Sequence, residues 1–128
     1  AVSSYSEAAA FADLARSRGK TLGVHIKLDT GMGRAGIWHE RAVEEIKKIL
    51  GLEGIKVTGI FSHLSSADDD AEYTKRQFGI FREVVSHFDL SGMLVHLVYE
   101  SRASFQRRQN GAVAVWDKSF CRGRIRRC

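Results

Sequence analysis

Proline is absent from the 128 residues, and cysteine occurs twice, at Cys121 and Cys128. Average usage of about 5% would give roughly six prolines, so the turns must rely on Gly, Asn, Asp and Ser. Two cysteines confined to the end of the chain exclude a disulfide-built scaffold and fit a reducing, cytoplasmic compartment. No apolar run approaches the roughly 18 residues of a membrane span, so no membrane partner is expected. The opening stretch, AVSSYSEAAA, lacks the basic and apolar parts of a signal peptide. It also lacks an initiator Met, which fits a chain that begins inside a longer protein. No pair of His or Cys has metal-ligand spacing, so no metal site is expected.

Charge is unevenly divided. Residues 1–100 hold 12 Lys/Arg and 14 Asp/Glu, whereas residues 101–128 hold 8 basic residues and only Asp117. The formal charge of +5 therefore belongs to the last segment. The rest is ordinary for a globular chain, with 44% hydrophobic and 27% charged residues, and long enough for one domain with a core.

The hydrophobic pattern predicts alternating helices and strands. Ser4 and Glu7 have capping-box spacing and Gly19 suits a helix end, so residues 4–18 read as a helix with Ala8, Phe11, Ala12 and Ala15 inward. Residues 21–29 alternate as a strand, with Leu22, Val24, Ile26 and Leu28 opposite Gly23, His25, Lys27 and Asp29. Residues 39–50 repeat Val43, Ile46, Ile49 and Leu50 at helical spacing. Residues 56–63 read as a second strand, with Val57, Gly59, Phe61 and His63 on one face. The SSADDD loop suits the start of a third helix, which runs to about Phe88. GMLVHLV, residues 92–98, is a third strand. This order implies a parallel sheet wound right-handed. Pattern alone leaves a doubly wound sheet and an eight-stranded barrel both open. Residues 99–128 show no clean period apart from GAVAVW. They fit a solvated basic tail, a phosphate-contacting nucleic-acid segment, or the product of a shifted reading frame.

In parallel α/β folds, function sits at the C-terminal strand ends. Lys27 and Asp29 lie at such an end, as does His63, and Arg34 is on the turn that follows the first strand. An arginine there offers a rigid fork for a carboxylate or a phenolate oxygen. A lysine near an arginine is a like-charge conflict, relieved if the lysine is neutral, paired with Asp29, or converted into an anion. GMGRAG lacks the Lys-Ser or Lys-Thr of a phosphate loop, and no helix starts directly at its glycines as a dinucleotide fingerprint requires.

HIKLDTGMGRAGI resembles the signature segment of alanine racemases, pyridoxal-phosphate enzymes of fold type III. GIFSHLSSADD, EYTKRQFGIFREVV and LVHL resemble the segments that follow it, so the resemblance covers about residues 1–97. It implies a partial (β/α)8 TIM-type barrel over residues 1–98, with 99–128 an irregular, non-homologous basic tail, consistent with a shifted frame. The implied parent reaction is the interconversion of L- and D-alanine for bacterial cell-wall precursor, with pyridoxal 5'-phosphate as cofactor and a homodimeric enzyme. A broad-specificity racemase of this fold, a non-enzymatic pyridoxal-phosphate-binding protein and a basic nucleic-acid-binding module are the alternatives. The resemblance gives Lys27 the place of a supporting lysine that is carbamylated in many members. It gives Arg34 the contact with the cofactor's phenolic oxygen and the substrate carboxylate, and His63 a place beside the pyridine ring. The family's Schiff-base lysine and catalytic tyrosine match nothing here, so the chain alone is expected to be inactive.

Overall fold

The structure is a computed structural model and describes residues 1–99 and 112–116. Its elements, in chain order, are α1 (Tyr5–Ser17), β1 (Leu22–Asp29), β2 (Ile37–Trp38), α2 (His39–Leu50), β3 (Ile55–Leu64), α3 (Ala71–Ser86), β4 (Leu94–Tyr99) and β5 (Ala112–Trp116). They form one five-stranded sheet in the order β2-β1-β3-β4-β5. β1 is parallel to β2 and to β3, and β3 is parallel to β4. The alternating order read from the sequence is therefore present as successive strand-then-helix units on parallel strands. Among the elements expected from pattern, β2 is an addition: two residues are too few to show a period.

β5 runs antiparallel to β4, with Val95 opposite Trp116 and Tyr99 opposite Ala112. An irregular tail was expected over residues 99–128, and at 112–116 the backbone instead extends the sheet. GAVAVW is the one part of that segment with strand-like composition. The remainder of the tail lies outside the described residues.

Helices α1 and α3 begin where a side chain satisfies a free backbone N–H, whereas α2 starts at Trp38 without a side-chain cap. Ser4 caps α1, its Oγ accepting the Glu7 N–H at 3.2 Å, and the Glu7 carboxylate in turn accepts the Ser3 N–H at 2.7 Å. The box is thus closed one residue before the cap. Asp70 caps α3 through the Tyr73 N–H at 2.9 Å. α1, α2 and α3 share a core with one face of the sheet: Ala8, Ala12, Ile46, Ile49, Phe81 and Val85 meet Val24, Ile26, Leu28, Ile60, Val95 and Leu97. Phe81 and Ile26 are fully buried, and each such side chain contributes about 1.5–3 kcal/mol by leaving water. Phe11 stays 37% exposed, although the helical period placed it inward.

One irregularity sets what the other face carries. Val24 pairs with Val57 but the next residue, His25, pairs with Gly59, so Thr58 is an extra residue in β3. Its hydroxyl donates to the Val24 carbonyl at 3.2 Å. Because side chains alternate with period 2, one inserted residue inverts the faces beyond it. Val57 therefore lies on the helix side with Ile60, and the unbroken face expected for Val57, Gly59, Phe61 and His63 is corrected: only the last three share the side opposite the helices.

Candidate functional site

The sheet face away from the helices carries His25 and Lys27 from β1, Gly59, Phe61 and His63 from β3, and His96 and Val98 from β4, as the register requires. Lys27, Phe61, His63 and His96 are each half-buried. Lys27 pairs with Phe61 and His63 with Val98, near the C-terminal ends of parallel strands. Lys27 and His63 thus share one end and one face of the sheet.

The loop after β1 is built by Asp29. Its Oδ1 accepts the N–H of Gly31 at 2.9 Å and of Gly33 at 3.1 Å, and its Oδ2 accepts the N–H of Arg34 at 3.1 Å. Asp29 is only 5% exposed, so its charge is held by backbone dipoles rather than by water. Among the described residues Lys27 has no ion pair with it. Of the ways to relieve the Lys27 charge, pairing with Asp29 is therefore not the one the structure uses. Gly36 closes the loop at φ +128°, and a Cβ there would lie 2.7 Å from the Leu28 carbonyl carbon, so only glycine fits. Arg34 itself is exposed, on the loop at the mouth of β1.

Beneath the loop, Thr30 and Ser62 are buried and their hydroxyls lie 2.9 Å apart, while the Ser62 hydroxyl donates to the Leu28 carbonyl at 2.9 Å. This ties the end of β1 to β3. Two residues that pattern did not single out act from α3. The Tyr73 hydroxyl donates to the Gly31 carbonyl at 2.6 Å. The fully buried Gln77 accepts the Ser65 N–H at 3.0 Å and donates to the His63 carbonyl at 3.4 Å. Their partners are backbone atoms far away in sequence, which leave no motif to read.

Deeper on the same face, the His96 ring stacks on Phe61 with centroids 4.9 Å apart and meets His25 edge-on at 5.6 Å. The space comes from Gly59, where a Cβ would lie 2.8 Å from the His25 ring. His96 Nδ1 is buried and has no hydrogen-bond partner among the described residues. Burial, and then the neighbouring His25, push the His96 pKa below the ordinary histidine value. No group of three or more metal-ligating side chains occurs among the described residues. Nor is any described helix long and apolar enough to cross a membrane.

The arrangement offers an arginine, a lysine and ring nitrogens at the strand ends over an aromatic floor. Such a donor set fits an anionic, planar ligand: cations meet its oxygens, and rings meet its faces.

Comparison with known proteins shows the family and the fold. The family described as alanine racemase, N-terminal domain, matches residues 1–109, past the boundary at 98 read from the sequence. An alanine racemase of Methylacidiphilum infernorum is 40% identical over 118 residues, which are 92% of this chain and 27% of the relative. A match that long necessarily includes residues beyond 98. An alanine racemase structure from Clostridium difficile 630 superposes with a TM-score of 0.70 at 32% identity, over 80% of this chain and 27% of that one. The structure of alanine racemase from Bartonella henselae with covalently bound pyridoxal phosphate shares the fold, with a TM-score of 0.61 at 22% identity, over 76% of this chain and 28% of that one. The chain spans about a quarter of the length of these relatives.

Proposed function

The chain belongs to the alanine racemase N-terminal domain family, and from that premise we propose that it carries the part of a racemase barrel that holds pyridoxal 5'-phosphate and alanine at the mouths of β1 and β3. The observation that carries the reading is the Asp29-built loop, which sets Arg34 at the strand end shared by Lys27 and His63. Bound pyridoxal phosphate would supply the electron sink that stabilises the carbanion left when the α-proton of alanine is removed.

The chain's own residues supply binding and tuning. Arg34 would hold the cofactor's phenolic oxygen and the substrate carboxylate, because a guanidinium presents paired donors to such oxygens. His63 would lie beside the ring. Lys27, carbamylated, would become an anion that steadies Arg34 and removes the like-charge conflict. None of the three is the covalent lysine or the proton-transferring tyrosine of the parent reaction. Supporting groups orient and tune but do not replace proton donors, so the chain alone is expected not to racemise alanine. Alanine as substrate, a homodimeric parent enzyme and a cytoplasmic setting belong to the same proposal.

The test is a titration of the isotope-labelled chain with pyridoxal 5'-phosphate, followed by amide and side-chain chemical shifts. The largest changes are expected at Lys27, Arg34 and His63, with Leu22, Ile55 and Leu94 at the opposite strand ends unchanged. Saturable binding that moves those opposite ends and leaves the Asp29 loop still would refute the assignment.

A further inference from the structure

Tyr73 and Gln77 stand four residues apart on α3, hence on one face of that helix, and each reaches a different strand end. Tyr73 is bonded to the Gly31 carbonyl at 2.6 Å, within the loop that carries Arg34. Gln77 is bonded to the Ser65 N–H, the Ser65 hydroxyl at 3.2 Å and the His63 carbonyl, at the end of β3. Gly31 adopts φ +130°, and a Cβ there would lie 2.6 Å from the Tyr73 oxygen. The loop has therefore been left without a side chain at the one point where the tyrosine hydroxyl enters. Gln77 is fully buried, and a buried amide persists only where its polar atoms are satisfied. Asp70, capping the helix through Tyr73's own N–H, fixes the first turn from which Tyr73 projects.

We infer that Tyr73 and Gln77 are a pair of positioning residues: through one rigid helix face they hold the Gly31 carbonyl and the His63 backbone in fixed relation, and so set the spacing between Arg34 and His63. The inference rests on the reading of those two residues as cofactor contacts. Tyr73 acts on Arg34 through the loop. Removing its hydroxyl frees the Gly31 carbonyl while the Asp29 bonds to Gly31, Gly33 and Arg34 lose the backing that keeps the loop closed. Gln77 acts on His63 through the main chain, and its loss leaves the Ser65 N–H without an acceptor.

The experiment is amide hydrogen exchange on the full chain carrying Tyr73→Phe or Gln77→Met, beside the unaltered chain, with pyridoxal 5'-phosphate affinity measured in parallel. Tyr73→Phe removes one oxygen only. Exchange at Gly31, Gly33 and Arg34 is expected to accelerate roughly fivefold, the population change that one typical net hydrogen bond corresponds to. Exchange at Ile26 and Ile60 is expected to stay unchanged. Gln77→Met should accelerate exchange at Ser65, whose N–H loses its acceptor, by a similar factor. Unchanged loop exchange would overturn the inference. So would acceleration spread equally over Ile26 and Ile60, or a Tyr73→Phe chain that does not fold, because either would make the role one of general stability. Weaker binding of the cofactor by Tyr73→Phe, with the core amides unmoved, supports the positioning role further. If the unaltered chain binds no pyridoxal phosphate, the functional reading is at fault, and the exchange pattern still decides whether the clamp exists.

Discussion

The Asp29 carboxylate serves its own backbone, accepting three loop N–H groups while almost wholly buried. That answers why an acid sits beside Lys27 at the end of an apolar strand: it shapes the loop that presents Arg34. The sequence holds a hint of this, since an aspartate followed by glycines two and four positions later suits a side chain that bonds its own turn. Strand alternation puts Lys27 and Asp29 on one side but says nothing about which partner each chooses. His96 was likewise visible only as a strand residue, because its stacking on Phe61 depends on the register of β3 against β4. Its lowered pKa has a testable sign. The folded chain binds fewer protons at His96 than the unfolded chain does, so stability rises with pH through this range. The contribution is complete above about pH 6.5, the ordinary histidine value, and is lost as pH falls below it. The urea midpoint is expected to be lower at pH 5.5 than at pH 7.5, with a smaller drop in His96→Phe. An identical drop in that variant would assign the effect to other groups.

At the scale of elements, the helices and the three longer strands were legible because their hydrophobic periods run for enough residues to be read. Helix α2 begins and ends where its period predicts, at His39 and Leu50. What escaped has a physical reason in each case. β2 is two residues long, and β5 lies in a segment whose surroundings show no period. The Thr58 bulge inserts one residue into β3, and a period-2 reading carried through it assigns Val57 to the wrong face. Helix α3 is the element on which the site depends most, since it reaches both strand ends. Its start rests on the Asp70 side chain. Asp70→Ala is expected to lower stability by about 1 kcal/mol, the usual worth of an N-cap, as measured by urea unfolding. Because Tyr73 lies in the first turn, the same change should loosen the Gly31 loop. A variant as stable as the parent chain would show that the cap contributes nothing here.

For the whole molecule, a parallel sheet with helices on one face leaves the other face to line a barrel, and it is there that Lys27, His63 and His96 lie. The candidate residues of the proposed site were legible as residue types at strand ends, and the family as a run of motifs in order. The three-dimensional ties through Tyr73, Gln77, Thr30 and Ser62 were not, because they join segments distant in sequence. Family membership, 40% identity to one alanine racemase and a span of about a quarter of its length define the most direct test. Residues 1–98 of this chain are placed in the Methylacidiphilum infernorum enzyme in exchange for the matching segment, and D-alanine formation is followed. The chimaera is expected to bind pyridoxal phosphate and racemise alanine, and to lose activity by at least tenfold on Arg34→Ala. A folded, cofactor-loaded chimaera that forms no D-alanine, or one indifferent to Arg34→Ala, would contradict the account.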